Sequence, residues 1–348
     1  MPGPQTLVLH YSDNIAVTMR KISQGESLES FDFAANHNIP SGHKIAVRNI
    51  ASGEEIIKYG NVIGLASQNI SSGDHVHTQN VAMTESQRNK VYANNLREED
   101  TLPITQRSVF QGYKRADGGV GTRNYVGIVT SVNCTASAAK LLVKEAEQSG
   151  ILDQFPGVDG IVPIVHGAGC CIGTNDEAFR KLQRAIWGYA THPNFASVLM
   201  LGLGCESNQI PAMLEAYGRQ QDDAFQYFTL QSEGGTRKSI EKGMIWLETA
   251  LKTANKAVRE PVDVSHLSVA LQCGGSDGYS GITSNPALGH AVDLLVKNGG
   301  TAALAETPEI YGAENLLTNR ATSPEVARKL IDLLEWWEKY TLKHGSEM

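Results

Sequence analysis

No apolar run in this 348-residue chain approaches the roughly eighteen residues that a membrane helix needs. Nor is there an excess of basic charge: 30 Lys and Arg stand against 37 Asp and Glu, for a net charge of -7. A nucleic-acid binder would usually carry a basic face, so that class is excluded with the membrane span. Cysteine is scarce and oddly spaced. Five in a chain this long do not make a disulfide framework, and the lack of any C-x-x-C leaves a zinc ribbon unsupported. The opening residues also lack a charged-then-apolar signal, so a reducing cytoplasm is the expected location.

Glycine is in excess, with 34 residues against an average of roughly 7%, and it gathers at turns. The stretch A-S-V-L-M-L-G-L-G-C-E-S-N-Q-I, from Ala196, holds a continuous apolar run over Val198–Leu201. That run reads as a strand buried on both faces. It breaks at Gly202 and Gly204, presents Cys205 and Glu206, and enters a helix with Pro211 near its start. The same order recurs. Val126–Ser131 leads to Asn133 and Cys134, Ile161–Val165 to His166, Cys170 and Cys171, and Leu267–Leu271 to Cys273. All five cysteines therefore follow predicted buried strands, where open parallel sheets bind ligands.

Residues 1–82 differ in texture. Short β-branched runs are separated by I-S-Q-G, I-P-S-G, I-A-S-G and I-S-S-G, at Ile22, Ile39, Ile50 and Ile70. Each glycine falls where a tight turn needs positive φ, so a small all-β domain is expected. Residues 83–111 are polar and read as a linker. From residue 112 to 348, strands alternate with helical runs such as Ala136–Gln148, Glu177–Ala190 and Thr236–Ala254. This predicts a mostly parallel α/β sheet domain built on six strands, the last two being Leu267–Leu271 and Thr301–Ala305. Ser323 and Pro324 open a final helix whose Leu330, Leu333, Leu334, Trp336 and Trp337 form an apolar surface.

Several chemistries compete at the strand ends. A dinucleotide fingerprint fails, because Ser207 stands where G-x-G-x-x-G needs its last glycine, and Asp222 and Asp223 precede the next strand. Thiolates with His166 and Glu206 could hold a soft or borderline divalent ion. Any single cysteine could equally be a small buried residue. The loop G-G-S-D-G-Y-S-G-I-T-S-N-P, from Gly274, suits an anion or carboxylate or simply connects two elements. His75 and His77 alternate along a strand and so share a face. With His43, Lys44, Lys58 and Tyr59 they form either a proton-transfer and metal-binding edge or ordinary surface.

At these residues the chain resembles the altronate dehydratase family, which includes galactarate dehydratase. The resemblance covers nearly the whole chain. It runs through D-N-I-A-V at Asp13, G-H-K-I-A at Gly42, I-K-Y-G at Ile57 and G-D-H-V-H at Gly73, which match an N-terminal SAF domain. It continues through R-A-D-G-G-V-G-T-R-N at Arg115, His166 with Cys170, G-L-G-C-E-S-N-Q at Gly202, C-G-G-S-D-G-Y-S-G-I-T-S-N-P at Cys273 and E-T-P-E-I-Y-G-A-E at Glu306. Gln79 and Cys171 depart from the family pattern. Family members also continue beyond the point where this chain stops.

The resemblance implies a cytoplasmic hydro-lyase that removes water from a sugar acid such as D-altronate or galactarate, giving a 2-keto-3-deoxy acid. It also implies a divalent metal, Fe2+ first and Mn2+ as a substitute. The expected site lies between the two domains. Its metal ligands are His75, His77, His166, Cys170, Cys205 and Glu206. Its catalytic residues are Lys44, Lys58 and His43, with a lysine as base. Its substrate-binding residues are Arg123, Asn124, Ser276, Asp277, Ser280 and Thr283. The rival enzymology is an iron–sulfur hydro-lyase using Cys134, Cys170 and Cys205 or Cys273. The non-enzymatic alternative is a sugar-acid-binding fragment or one subunit of a split dehydratase. The partners are then a small sugar acid, a second copy, or a chain supplying the C-terminal part.

Overall fold

In the computed structural model, residues 4–83, 101–272, 274–275 and 277–348 are described. The chain divides into two compact units. One comprises residues 1–101, 268–297 and 302–348, the other residues 102–267 and 298–301.

The first unit opens with seven short strands: β1 (Thr6–Leu7), β2 (Ile15–Thr18), β3 (Lys44–Ala46), β4 (Glu55–Lys58), β5 (Asn61–Ala66), β6 (His75–Val76) and β7 (Val81–Ala82). They form two antiparallel sheets, in the orders β1-β2-β3-β6 and β4-β5-β7. The four repeated turns are real. Gly25, Gly42, Gly53 and Gly73 all take positive φ, between 78° and 87°. The isoleucines that open these turns are buried, and they bridge in pairs, Ile22 with Ile39 and Ile50 with Ile70. Each pair anchors its own apolar cluster. Asn14, fully buried, holds β2 to β4: its amide donates to the Glu55 carbonyl at 2.7 Å and its carbonyl accepts from Ile57 N–H at 2.8 Å.

The second unit begins with β8 (Val109–Lys114) and β9 (Val120–Gly121). There follow β10 (Tyr125–Thr130), α1 (Ala136–Gln148), β11 (Gly160–Ile164), α2 (Glu177–Ala190), β12 (Phe195–Gly202), α3 (Ile210–Ala216), β13 (Phe225–Thr229), α4 (Thr236–Ala254) and β14 (Glu260–Asp263). Strands β11-β10-β12-β13 form a parallel sheet in that order. One face packs on α1 and α4, the other on α2 and α3. Burial on both faces explains the unbroken apolar run of β12, since alternation is required only where one face meets water. Gly243 lets the helices close, because a Cβ there would lie 2.6 Å from Leu142.

Two expectations need correction. The polar stretch 83–111 is not all linker: residues 84–100 lie outside the described set, but Val109 already begins β8, which pairs antiparallel with β14. The last two expected strands do not extend the parallel sheet. They are β15 (Ser268–Leu271) and β16 (Thr301–Leu304), with α5 (Ser284–Lys297) between them, and they pair with each other. Segment 112–348 is thus not one continuous α/β sheet domain, and most of residues 268–348 group with the N-terminal strands. Apolar strands separated by a helix look alike in sequence whether they join a large sheet or pair alone.

The chain ends in α6 (Asn315–Thr318) and α7 (Pro324–Lys343). Ser323 caps α7 through its Oγ, which accepts the Val326 N–H at 3.3 Å. Trp336, Trp337 and Tyr340 pack ring on ring along it. Among the described residues no helix is long and apolar enough to cross a membrane.

Candidate functional site

The first unit gathers its chemistry at the one repeated turn that breaks the pattern. In three turns an acid follows the glycine and accepts the N–H after the isoleucine. Ser23 donates to Glu26, Ala51 to Glu54 and Ser71 to Asp74, all at 2.8–2.9 Å. An asparagine beside the paired isoleucine then holds the next N–H: Asn38 for Gln24, Asn69 for Ser52 and Asn49 for Ser72. The Ile39 turn has Pro40 where that first N–H would be, so no acid is needed, and His43 occupies the position. Lys21 stands where the asparagine would be.

This released turn is covered by the glycine loop. Ser41 Oγ and the Tyr279 hydroxyl form a short hydrogen bond, and that hydroxyl also donates to the Met19 carbonyl at 3.2 Å. The Tyr279 ring would lie 3.7 Å from a Cβ on Gly42. Tyr279, which covers this turn, is not singled out by the sequence. The broken I-x-x-G-acid repeat was the available signal for the turn, though none pointed to its cover.

His43, His75 and His77 form a cluster. The His43 and His75 ring centroids are 5.1 Å apart, His43 and His77 stack at 4.9 Å, and His75 and His77 lie at 5.5 Å. His43 Nδ1 and His75 Nε2 are 2.9 Å apart. The expected shared face of His75 and His77 is therefore present. Burial, reinforced by neighbouring positive charge, pushes His43 and His75 below the ordinary imidazole value. Both rings then favour the neutral form, with lone pairs to offer.

Lys44 opens β3 between β2 and β6. Burial lowers its pKa, and the Lys58 ammonium lowers it further. Lys58 ends β4, immediately before a two-residue turn in which Tyr59 (φ 59°) and Gly60 (φ 69°) are both left-handed. That geometry matches a twisted hairpin and is costly for tyrosine. Asp13 braces the turn through the Gly60 N–H at 2.8 Å. Burial lowers Lys58 as well, but the Asp13 carboxylate works against it. Of the two lysines, Lys44 is the one that both burial and its charged neighbour push toward the neutral amine. A Cβ on Gly281 would lie 4.0 Å from Lys58 Nζ, which sets the loop beside that amine.

Asp277, Ser280 and Thr283 shape this loop. Asp277 accepts Tyr279 N–H at 3.0 Å, Ser280 Oγ donates to the Asp277 carbonyl, and Thr283 Oγ1 donates to the Tyr279 carbonyl. Ser276 and Cys273 lie outside the described residues.

In the second unit the chain leaves β10 toward β11 on one side of the sheet and returns through β12 on the other. This reversal creates a crevice at the carboxyl ends of β10 and β12. The strand-end segments meet there: Asn133 N–H donates to the Ala168 carbonyl at 2.9 Å, and Ser207 N–H to the Cys170 carbonyl at 2.8 Å. Cys134, Cys171 and Cys205 are exposed thiols and Cys170 is half-buried.

Of the residues expected as metal ligands, Glu206 has its carboxylate engaged within the fold, and His166 engages one ring nitrogen. Glu206 is only 3% exposed. Its carboxylate accepts from Ser131 Oγ at 2.7 Å, Leu203 N–H at 3.1 Å and Gly204 N–H at 2.6 Å. It therefore holds the glycine turn. Gly202 permits the approach, since a Cβ there would lie 2.7 Å from Glu206 Oε1. His166 Nδ1 accepts from Ala168 N–H at 3.1 Å, so the neutral ring carries its proton on Nε2. Burial lowers the His166 pKa, with the Thr130 and Ser131 carbonyls opposing it. The His166 Nε2 is buried and has no hydrogen-bond partner. Among the described residues, no group of three or more His, Cys, Asp or Glu side chains is arranged as a metal cage.

Arg123 and Asn124 precede β10 and so sit at the amino edge of the parallel sheet, the far end from the crevice. At about 3.3 Å per residue, six-residue β10 separates the two ends by roughly 20 Å. Arg123 pairs loosely with Asp159 at 3.6 Å. Asn124 is fully buried, donating to the Gly157 and Ala254 carbonyls at 2.7 and 2.9 Å and accepting from Arg115 at 3.0 Å. It is a structural staple with no free polar group for a substrate. The G-T-R-N motif marked a special backbone position, and sequence had no means of telling which end of the strand it served.

Comparison with known proteins fits both units. Residues 4–84 match the altronate/galactarate dehydratase SAF domain. Residues 112–255 match the second domain of D-galactarate dehydratase/altronate hydrolase, and residues 264–348 the D-galactarate/altronate dehydratase C-terminal domain. Altronate dehydratase of Bacillus subtilis is 34% identical over 97% of this chain and 67% of its own length. Galactarate dehydratase (L-threo-forming) of Escherichia coli is 35% identical over 95% of this chain and 65% of its own length. In the (2R)-sulfolactate sulfo-lyase of Chromohalobacter salexigens the similarity is divided. Its beta subunit is 28% identical over 68% of this chain and 56% of its own length, and its alpha subunit 34% identical over 21% of this chain and 89% of its own length. The chain spans about two-thirds of the dehydratases it matches, and it belongs to the altronate and galactarate dehydratase family of hydro-lyase enzymes.

Proposed function

We propose that the chain dehydrates a sugar acid of the D-altronate or galactarate type to a 2-keto-3-deoxy acid in the cytoplasm, and that the histidine–lysine cluster of the first unit carries the chemistry. The observation that supports this most is the pairing of neutral imidazoles His43 and His75 with two desolvated amines, Lys44 and Lys58. Dehydration needs a base for the weakly acidic C2 proton and an acid for the departing C3 hydroxyl. Lys44, depressed by burial and by Lys58, is the base. The C2–H electron pair forms the C2–C3 double bond as the C3–O bond breaks. The hydroxyl leaves as water with the proton that Lys44 has taken from C2, so the elimination needs no other proton source. The resulting enol becomes the 2-keto acid. Lys58, whose ammonium form the Asp13 carboxylate favours against burial, stabilises negative charge developing on the substrate carboxylate.

The proposed chemistry includes a divalent ion, Fe2+ first and Mn2+ second, with the substrate's own oxygens completing its ligand set, since no third protein donor is arranged for it among the described residues. His43 Nδ1 and His75 Nε2, 2.9 Å apart, would be the nitrogens that hold it. His77, stacked on His43, is the nearest further imidazole. Such an ion supplies a Lewis acid for the substrate's carboxylate and hydroxyl oxygens.

The test is anaerobic incubation with Fe2+ and a panel of sugar acids, scoring 2-keto-3-deoxy product. Product that disappears in Lys44→Met and His43→Ala supports the reading. Full turnover in both variants overturns it. Product formed only after a second chain is added would favour the split-enzyme reading, for which the divided sulfo-lyase relatives are the precedent.

A further inference from the structure

A cavity of about 380 Å³ lies at the amino edge of the parallel sheet, at the end of the strands away from the crevice. It is lined by the loop after β8, the end of α2, the start of β12 and the segment entering β13. Two buried polar atoms on its lining, Ser197 Oγ and Arg219 Nε, have no hydrogen-bond partner. Ser197 is 1% exposed. A buried donor left unmade costs about 1–3 kcal/mol, and two in one cavity are unusual in a native interior.

We propose that this cavity is a second binding site, and that it takes a neutral polyhydroxylated molecule, a sugar or polyol. The two orphaned groups both call for an acceptor oxygen. An anion would answer that, but the rest of the lining opposes one: Asp117, Asp222 and Asp223 outnumber Arg115 and Arg219. Arg219 already pairs with Asp222 at 2.8 Å. Arg115 is committed to the Pro193 and Arg123 carbonyls and to Asn124. The carboxyl end of the 14-residue helix α2, whose Ala190 lines the cavity, adds the negative end of a helix dipole. Hydroxyl groups accept from Ser197 and Arg219 and donate to the surrounding carboxylates and carbonyls. Phe195, Phe225 and Pro193 supply an apolar wall for a C–H face. The volume falls at the small end of ligand pockets, about 300–1,000 Å³.

The experiment is ligand-observed NMR and thermal shift on the full chain with millimolar sorbitol, xylitol and D-glucose, and with inorganic phosphate and sulfate as anion probes. The variants are Ser197→Val, which removes the hydroxyl and fills space, Ser197→Ala, which only removes it, and His43→Ala as a control in the other unit. Saturable binding of at least one neutral probe is expected, at least about tenfold weaker in both Ser197 variants and unchanged in His43→Ala. Phosphate or sulfate binding that is lost with Ser197 would overturn the neutral-ligand assignment. Absence of binding by every probe, with the Ser197 variants folded and more heat-stable than the parent, would show that the orphaned groups hold only water. Loss in His43→Ala would show that the signal comes from the dehydratase cluster instead.

Discussion

Replacing Asn124 with alanine separates a staple from a substrate ligand. Its side chain makes two hydrogen bonds to backbone carbonyls, at 2.7 and 2.9 Å, and accepts one at 3.0 Å from the Arg115 guanidinium. Neutral bonds of this kind contribute about 1 kcal/mol each, and one to a charged partner about 1.5–3 kcal/mol. The three together give roughly 3.5–5 kcal/mol, consistent with the position being fully buried. These bonds join the start of β10, the loop before β11 and the end of α4, so the loss falls on the second unit as a whole. Urea unfolding followed by circular dichroism should show the midpoint falling with little change in slope. Asn124→Asp should also destabilise, because a carboxylate would face the Gly157 and Ala254 carbonyls in place of the donating amide. A variant that keeps its stability within about 1 kcal/mol but binds sugar acid more weakly would refute the assignment and restore Asn124 as a ligand.

Glu206→Ala should cost about 3–5 kcal/mol by stranding the Leu203 and Gly204 N–H groups and the Ser131 hydroxyl. Metal content per folded molecule, measured by atomic emission, should not change. Lys44→Met should lower turnover by about 10²–10⁴. In the unmodified enzyme kcat/KM should rise with pH to a plateau below the ordinary lysine value, because Lys44 is depressed and acts as the free amine. A profile that is flat through the alkaline range would remove Lys44 as base. Acid should loosen the fold. His43, His75 and His166 are all depressed by burial, so below pH about 6.5 the unfolded chain takes up protons that the folded chain resists. Stability should be full above that value and fall as pH drops toward the depressed values. Thermal melts from pH 7.5 to 5 would read it, and an unchanged melting temperature would contradict it.

What was legible in the sequence was whatever a local pattern determines. The four I-x-x-G turns could be read because positive φ is a property of a single residue. The helices Glu177–Ala190 and Thr236–Ala254 followed from local helical pattern, and the buried strands β10 and β12 from unbroken apolar runs that end at small residues. The histidine face of the first unit was visible because strand alternation is local too. Partnership was not visible. Nothing near Leu267–Leu271 says that it pairs with Thr301–Leu304 and not with the large sheet. Nothing in R-N-Y says that Arg123 and Asn124 lie at the wrong end of β10 for the crevice. Glu206 was picked out correctly as unusual, but its neighbours Gly202, Leu203 and Gly204 are the reason: a turn this tight needs an acceptor inside it. Tyr279 reaches Ser41 across 238 positions of chain, a distance over which no spacing rule operates.

That long reach has a kinetic consequence. The first unit is assembled from pieces that flank the second, so its Tyr279 loop must be brought back across roughly 165 residues before the Ile39 turn acquires its cover. Closing an unstructured loop of that length costs about 4–5 kcal/mol of chain entropy. Folding of the intervening sheet and helices would shorten the effective loop and reduce that cost. Refolding should therefore be ordered: parallel sheet first, completion of the histidine–lysine cluster last. On the ribosome the N-terminal strands emerge early and wait for a segment that is synthesised more than 160 residues later.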